Sequence, residues 1–87
     1  MNWYVYLLRC SDDSFYCGIT NNLKERLDEH NAGKGAKYTK TRLPVELVYS
    51  EELRDKSSAC KREIEIKGWR KEKKEALIAC SSGSFGV

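Results

Sequence analysis

The sequence predicts a small α+β domain, a three-stranded and mainly antiparallel sheet flanked by helices. Three observations predict it. Two runs rich in aromatic and β-branched residues, "WYVYLLR" and "FYCGIT", flank the polar stretch "CSDDS", which reads as a hairpin. A third run, "VELVYSEEL", alternates Val45, Leu47 and Tyr49 with Glu46, Val48 and Ser50, as a strand does. The long stretch "RDKSSACKREIEIKGWRKEKKEALIAC" reads as helix, broken once at Gly68. The resulting order is ββα, a basic connection, then βαα.

Each element has a local cause. After the hairpin, "TNNLKERLDEHNAGKG" reads as a helix: Asn21 or Asn22 can cap it, Leu23 and Leu27 stand one turn apart, and Gly33 and Gly35 stop it. The connection "KGAKYTKTRLP" is basic, with room for one helical turn before Pro44. Asp55 or Ser57 can cap the next helix, and "RKEKKEALIA" forms the last. One domain over residues 1–80 is expected, followed by a flexible tail over 81–87, "SSGSFGV".

The totals exclude several classes. A chain of 87 residues buries little more than about 60% of its unfolded surface, so it builds one modest core. No run approaches the roughly 18 apolar residues of a membrane span. The N-terminus has no basic leader, so no signal peptide is expected and the cytoplasm is the default compartment. Net charge is +3, which permits a polyanionic partner without requiring one. Cys10, Cys17, Cys60 and Cys80 form no C-x-x-C motif, and His30 is the single histidine, so a zinc site is poorly supported. Buried free thiols are expected rather than disulfides.

Six positions raise a question of chemistry. Tyr6 and Tyr16 sit mid-strand on either side of the turn. They share a sheet face if the loop between the strands holds an odd number of residues, such as Asp12 to Ser14, and oppose each other across the sheet if it holds two. Gly18, inside a strand, marks close approach by a ligand or another backbone. At about 100° per residue, Leu23, Leu27 and His30 share one helix face with Arg26 at its margin, so Arg26 and His30 are expected together at a rim. On the longer helix, Glu63 projects within about 60° of Ala59 and Ile66, whereas Glu65 faces about 160° away. A carboxylate on such a stripe needs a salt bridge or a metal ion.

The run "VYLLRC…FYCGIT…NLKERLDEH…REIEIK" resembles the GIY-YIG nuclease domain, with Tyr6 in "VYL", Tyr16 and Gly18 in "YCG", Arg26 ten residues on, and Glu63 on the later helix. The likeness covers about Trp3 to Ala79. It is strongest to the small single-domain bacterial branch related to the N-terminal nuclease domain of the excision-repair protein UvrC. The resemblance implies hydrolysis of a phosphodiester in DNA, in repair or recombination, assisted by a single Mg²⁺ or Mn²⁺. It assigns Tyr16 to activating the attacking water, Tyr6 to positioning it, and Arg26 to the charge developing on phosphate. Glu63 is then the sole metal ligand, His30 an auxiliary proton-transfer group, and Gly18 the opening through which phosphate approaches. A phenol ionises near pH 10, so Tyr16 acts as a base only if Arg26 and the metal lower it or its proton passes onward.

Two departures stand out. The lysine that follows the YIG glycine in the repair branch is Ile19 here, and the leading glycine of GIY is Tyr4 or Val5. Within "AGKGAKYTKTR", Lys34, Lys37, Lys40 and Arg42 surround Tyr38, offering phosphate contacts and one aromatic ring for an unpaired base. A solvated loop is the plain alternative. Branched, nicked or single-stranded DNA are the candidate substrates, and strong sequence specificity is not expected. The rival readings are a nucleic-acid-binding module that has lost cleavage and a subunit activated by a protein partner. The nuclease reading requires Tyr6, Tyr16, Arg26 and Glu63 to line one concave surface.

Overall fold

A computed structural model describes residues 2–85. The sheet has the strand order β2-β1-β3, formed by β1 (Trp3–Arg9), β2 (Phe15–Thr20) and β3 (Glu46–Leu53), with β1 antiparallel to both neighbours. This is the α+β arrangement that the sequence predicts. Helices α1 (Leu23–Asn31) and α2 (Lys37–Lys40) lie between β2 and β3, and α3 (Lys56–Lys67) and α4 (Lys71–Phe85) follow. The backbone stays helical past the boundary expected at residue 80, through residues 81–85. The small residues there do not stop the helix, and the rest of the expected tail, 86–87, lies outside the described residues.

The hairpin decides which side chains meet. Cys10 N–H donates to Ser14 C=O (2.8 Å) and Asp13 N–H to Cys10 C=O (2.9 Å), closing a three-residue loop from Ser11 to Asp13. Asp13 turns the backbone at φ 67°, a conformation its short polar side chain tolerates. The odd loop aligns Tyr6 with Gly18 and Leu8 with Tyr16. Tyr6 and Tyr16 therefore share one face as diagonal neighbours.

Alternation sends the other residues to the reverse face. There Val5, Leu7, Cys17 and Tyr49 pack with Ala59 and Ile66 of α3, joined by half-buried Trp69, Leu77 and Ile78. A bulge at Val48 keeps Tyr49 on this side and Leu47 on the other, because Leu7 pairs with Tyr49 but Leu8 with Leu47. The front face is closed by Leu23 and Leu27 of α1, packed on Tyr6, Leu8, Cys10 and Val45. Asn31 at the end of α1 exchanges two bonds with Val45 (2.9 and 3.2 Å), fixing the entry to β3 beside the cis Leu43–Pro44 peptide.

The caps explain the helix limits. Asn22 caps α1 by accepting from Glu25 N–H at 3.1 Å, and Asp55 caps α3 by accepting from Ser58 N–H at 2.7 Å. Gly33 (φ 78°) ends α1: its N–H bonds to His30 C=O while Lys34 N–H reaches Glu29 C=O. The cysteines are free thiols, with Cys10 and Cys17 buried as expected of small apolar residues, but Cys80 exposed. Among the described residues no helix is long and apolar enough to cross a membrane.

Candidate active site

Two glycines make room for two rings. A Cβ on Gly18 would stand 2.5 Å from the Tyr6 hydroxyl and 2.7 Å from its Cζ. The space expected for an approaching phosphate is filled by Tyr6 itself, which leans across its strand neighbour toward α1. Gly35 acts likewise for His30, because a Cβ there would overlap the imidazole. Neither glycine is needed for a left-handed backbone; both are needed for their missing volume.

Around those rings a continuous set of hydrogen bonds forms. Arg26 Nε–H donates to the Tyr6 hydroxyl oxygen at 3.3 Å. That hydroxyl is 3.0 Å from His30 Nε2, and His30 Nδ1 is 2.7 Å from the Thr39 hydroxyl. Thr39 in turn donates to Ala36 C=O at 3.0 Å. Arg26 lies at the rim as expected, its side chain 31% exposed and its Nη1 on Glu29 at 3.3 Å. His30 does not share that rim. It is fully buried, because it continues the apolar stripe of Leu23 and Leu27 and is roofed by Gly35.

Burial sets the protonation states. It pushes the Tyr6 phenol up to about 12, against the pull of the Arg26 guanidinium. It also lowers His30 below the usual histidine range, with the neighbouring Arg26 charge adding to the effect. At neutral pH the site thus holds a neutral phenol bonded to a neutral imidazole.

Tyr16 lies above this layer, half-buried. Its ring is 5.3 Å from His30, 6.4 Å from Tyr6, and stacked at 6.2 Å with Tyr38. Tyr38, 39% exposed, also carries the Arg42 guanidinium 4.0 Å from its ring centre. The ring expected to await a base is thus already engaged with Tyr16 and Arg42. Arg42 is held by Asp12 at 3.0 Å and by Tyr38 C=O at 2.9 Å, so much of its donor capacity is in use. Lys34, Lys37 and Lys40 are exposed, with no ion pair among the described residues. A cleft of about 290 Å³ opens beside Arg26, walled by Trp3, Thr20, Asn22 and Glu25.

Glu63 stands apart from this cluster. Its helix packs on the reverse face, where the carboxylate sits near Cys17 on edge strand β2 and contributes, after burial, to raising that thiol to about 11. Its side chain is 20% exposed and its Oε2 pairs with Lys67 Nζ at 3.5 Å, the salt bridge that a core-stripe carboxylate calls for. Tyr6, Tyr16 and Arg26 share the front, and Glu63 is carried by α3 behind the sheet, beside edge strand β2. Alternation causes this, since Tyr16 and Cys17 are adjacent and face opposite ways. Among the described residues no group of three or more His, Cys, Asp or Glu is arranged to hold a metal. A lone half-buried carboxylate such as Glu63 suits a Mg²⁺ that keeps most of its waters and shares phosphate oxygens; it does not suit a closed protein cage.

Two contributors escaped the sequence reading. Thr39 and Gly35 complete the His30 environment, yet both lie in a run that reads as a basic loop. The available signal was the glycine and hydroxyl shortly after the only histidine, and it is weak.

Comparison with known proteins agrees with this fold. The solution NMR structure of the UPF0213 protein from Bacillus halodurans matches with a TM-score of 0.62 at 41% identity, over 98% of this chain and 90% of that one. A protein from E. faecalis, also solved by NMR, matches with a TM-score of 0.59 at 40% identity, over 88% and 83%. By sequence, the UPF0213 protein of Natronomonas pharaonis is 51% identical over 80 residues (92% of this chain, 94% of that protein). That of Staphylococcus haemolyticus is 53% identical over 75 residues (86% and 92%). The relatives span bacteria and archaea, a wider range than the bacterial branch expected. The name UPF0213 specifies no reaction. The model of the GIY-YIG catalytic domain matches residues 2–76, and the chain belongs to that family of nuclease domains.

Proposed function

We propose that this domain is a Mg²⁺-dependent endonuclease that hydrolyses phosphodiester bonds in DNA without strong sequence specificity. The observation that supports it most is the Arg26–Tyr6–His30–Thr39 set of bonds beneath Tyr16. A phenol raised to about 12 is a poor free base. It serves as a relay when its own proton leaves as another arrives. As the attacking water bonds to phosphorus, its proton passes to the Tyr6 oxygen while the Tyr6 proton moves to His30 Nε2, 3.0 Å away. No phenolate accumulates. The leaving oxygen takes its proton from solvent.

This path exchanges the roles that the resemblance implies: Tyr6, bonded to His30, takes the water proton, and Tyr16, the outer phenol, orients the water. Arg26 uses two of its five N–H donors on Tyr6 and Glu29, and the remainder suit the phosphate oxygens on which charge develops. Glu63 would hold the Mg²⁺, which supplies charge neutralisation at the phosphate when bound. Lys34, Lys37 and Lys40 attract the backbone of branched, nicked or single-stranded DNA, the structures met in repair and recombination.

A binding module without cleavage, or one activated by a protein partner, is the second reading. The Lys67–Glu63 pair behind β2 favours it. The test is cleavage of nicked and branched DNA with Mg²⁺. Wild type should cut, and Glu63→Ala, Tyr6→Phe and Tyr16→Phe should each lose about 10²- to 10⁴-fold. DNA binding without metal-dependent cutting by wild type would award the case to the module. Cutting only after a copurifying protein is added would award it to the partner-activated form.

A further inference from the structure

The relay has only one self-consistent orientation. Arg26 has donors and no acceptor, so the Tyr6 oxygen accepts from it. The buried Tyr6 O–H then needs an acceptor, and the group within reach is His30 Nε2 at 3.0 Å. Nε2 must be bare, so in the neutral ring the proton sits on Nδ1. At 2.7 Å from Nδ1, Thr39 must accept, and its single hydroxyl proton is free to do what the geometry shows, donate to Ala36 C=O at 3.0 Å. Reversing any one bond leaves a fully buried donor or acceptor facing its own kind.

We infer that Thr39 is a positioning residue of the proposed reaction: as obligatory acceptor for Nδ1–H, it holds His30 in the tautomer whose Nε2 receives the Tyr6 proton. The inference rests on the nuclease reading for its catalytic meaning but not for its structural content. Thr39 touches no reacting atom. It lies fully buried on α2, a helix of four residues. Gly35 completes the device by letting the backbone lie flat on the imidazole, so that the ring is not rotated off the hydroxyl. The two charged neighbours of the ring, Arg26 and Glu29, both belong to α1. The basic connection therefore has a second role besides attracting phosphate: it carries the residue that fixes the histidine tautomer.

His30 is the chain's only histidine, so its imidazole nitrogens can be assigned without ambiguity by long-range ¹H–¹⁵N correlation on the ¹⁵N-labelled protein at neutral pH. The expected spectrum shows a single Nδ1–H tautomer, with Nε2 unprotonated. An Nε2–H form, or rapid averaging of both, overturns the inference whatever the protein cuts. Thr39→Val, close in shape but without an acceptor, should bring a second tautomer into the spectrum and lower kcat about 10- to 100-fold, with KM within about twofold. Thr39→Ser should restore both readings. An unchanged kcat in folded Thr39→Val, or failure of Thr39→Ser to restore it, also overturns the positioning role. If wild type binds DNA but never cuts it, the nuclease reading fails while the spectrum still decides the tautomer.

Discussion

One sheet carries two unlike cores. Behind it, Val5, Leu7, Cys17, Ala59 and Ile66 meet as apolar groups whose contacts are non-directional. In front, Tyr6, His30 and Thr39 are as deeply buried, yet each is a polar group aimed at the next. The two tyrosines at about 12 sharpen the contrast. Tyr49 on the reverse face donates to the Glu51 carboxylate at 2.6 Å, and Glu51 is clamped by Arg62 at 3.0 Å. That phenol ends on an anion that already has a cationic partner. Tyr6 ends on a neutral base that can accept its proton. Burial is the largest cause of both rises, with the Glu51 hydrogen bond and charge adding to that of Tyr49, and the partner separates a strut from a relay. The rear core should therefore govern stability and the front core cutting.

The largest effect tests that division directly. Ile66→Ala removes a fully buried side chain from the rear cluster and should cost about 2–5 kcal/mol, a large part of the roughly 5–15 kcal/mol of a whole domain. Urea unfolding followed by circular dichroism measures it. Cleavage per folded molecule should be unchanged, since Ile66 touches none of the relay. A cutting defect larger than the folding defect would show that the two cores are not separable.

The glycines come next. Gly18→Ala and Gly35→Ala push a methyl into Tyr6 and His30 respectively, an overpacking that costs about 1–3 kcal/mol. Stability should fall less than in Ile66→Ala, whereas cutting should fall much further, because each displaced ring breaks the relay. Should Gly18→Ala cut normally, the close approach of Tyr6 and Gly18 would be packing alone.

The acid limb is a smaller effect of the same face. Folded His30 titrates below its unfolded value of about 6.5, so between the two pKa values the unfolded chain binds more protons. Stability from this group is complete above the unfolded value and is lost as pH falls toward the folded one. His30→Gln should flatten that part of the stability profile between pH 7 and 5, and Tyr49→Phe should leave it unchanged. A profile with the same slope in His30→Gln would place the titrating group elsewhere.

The sequence made the strands, the caps and the parity of the hairpin legible, since alternation and turn length are local properties. It also exposed Tyr6, Tyr16, Arg26 and Glu63 through their spacing. What it concealed was three-dimensional in origin. Helical periodicity placed His30 beside the leucines, but only the roof formed by Gly35 and Thr39 converts a rim position into a buried one. The space at Gly18 was readable, its occupant was not, because a cross-strand neighbour claims it before any ligand can. For Glu63 the period gave the direction along α3 correctly and left open which side of the sheet that helix covers.

The smallest effect concerns the surface of the front face. Asp12 is exposed, and its carboxyl is held below the usual range first by the Ser14 hydroxyl and then by Ser14 N–H, with Arg42 contributing less. Asp12→Asn retains an oxygen for both Ser14 bonds, so the turn and the melting temperature should stay as they are. What changes is Arg42, released from its carboxylate yet still fixed to Tyr38 C=O and Thr41. A guanidinium so placed beside the stacked Tyr38 and Tyr16 can turn its freed donors to phosphate. Fluorescence anisotropy on single-stranded DNA should then show slightly tighter binding, with a salt slope steeper by up to about 1. Weaker binding would mean that Asp12 aims Arg42 at the strand instead of restraining it, making the hairpin turn a part of the binding surface.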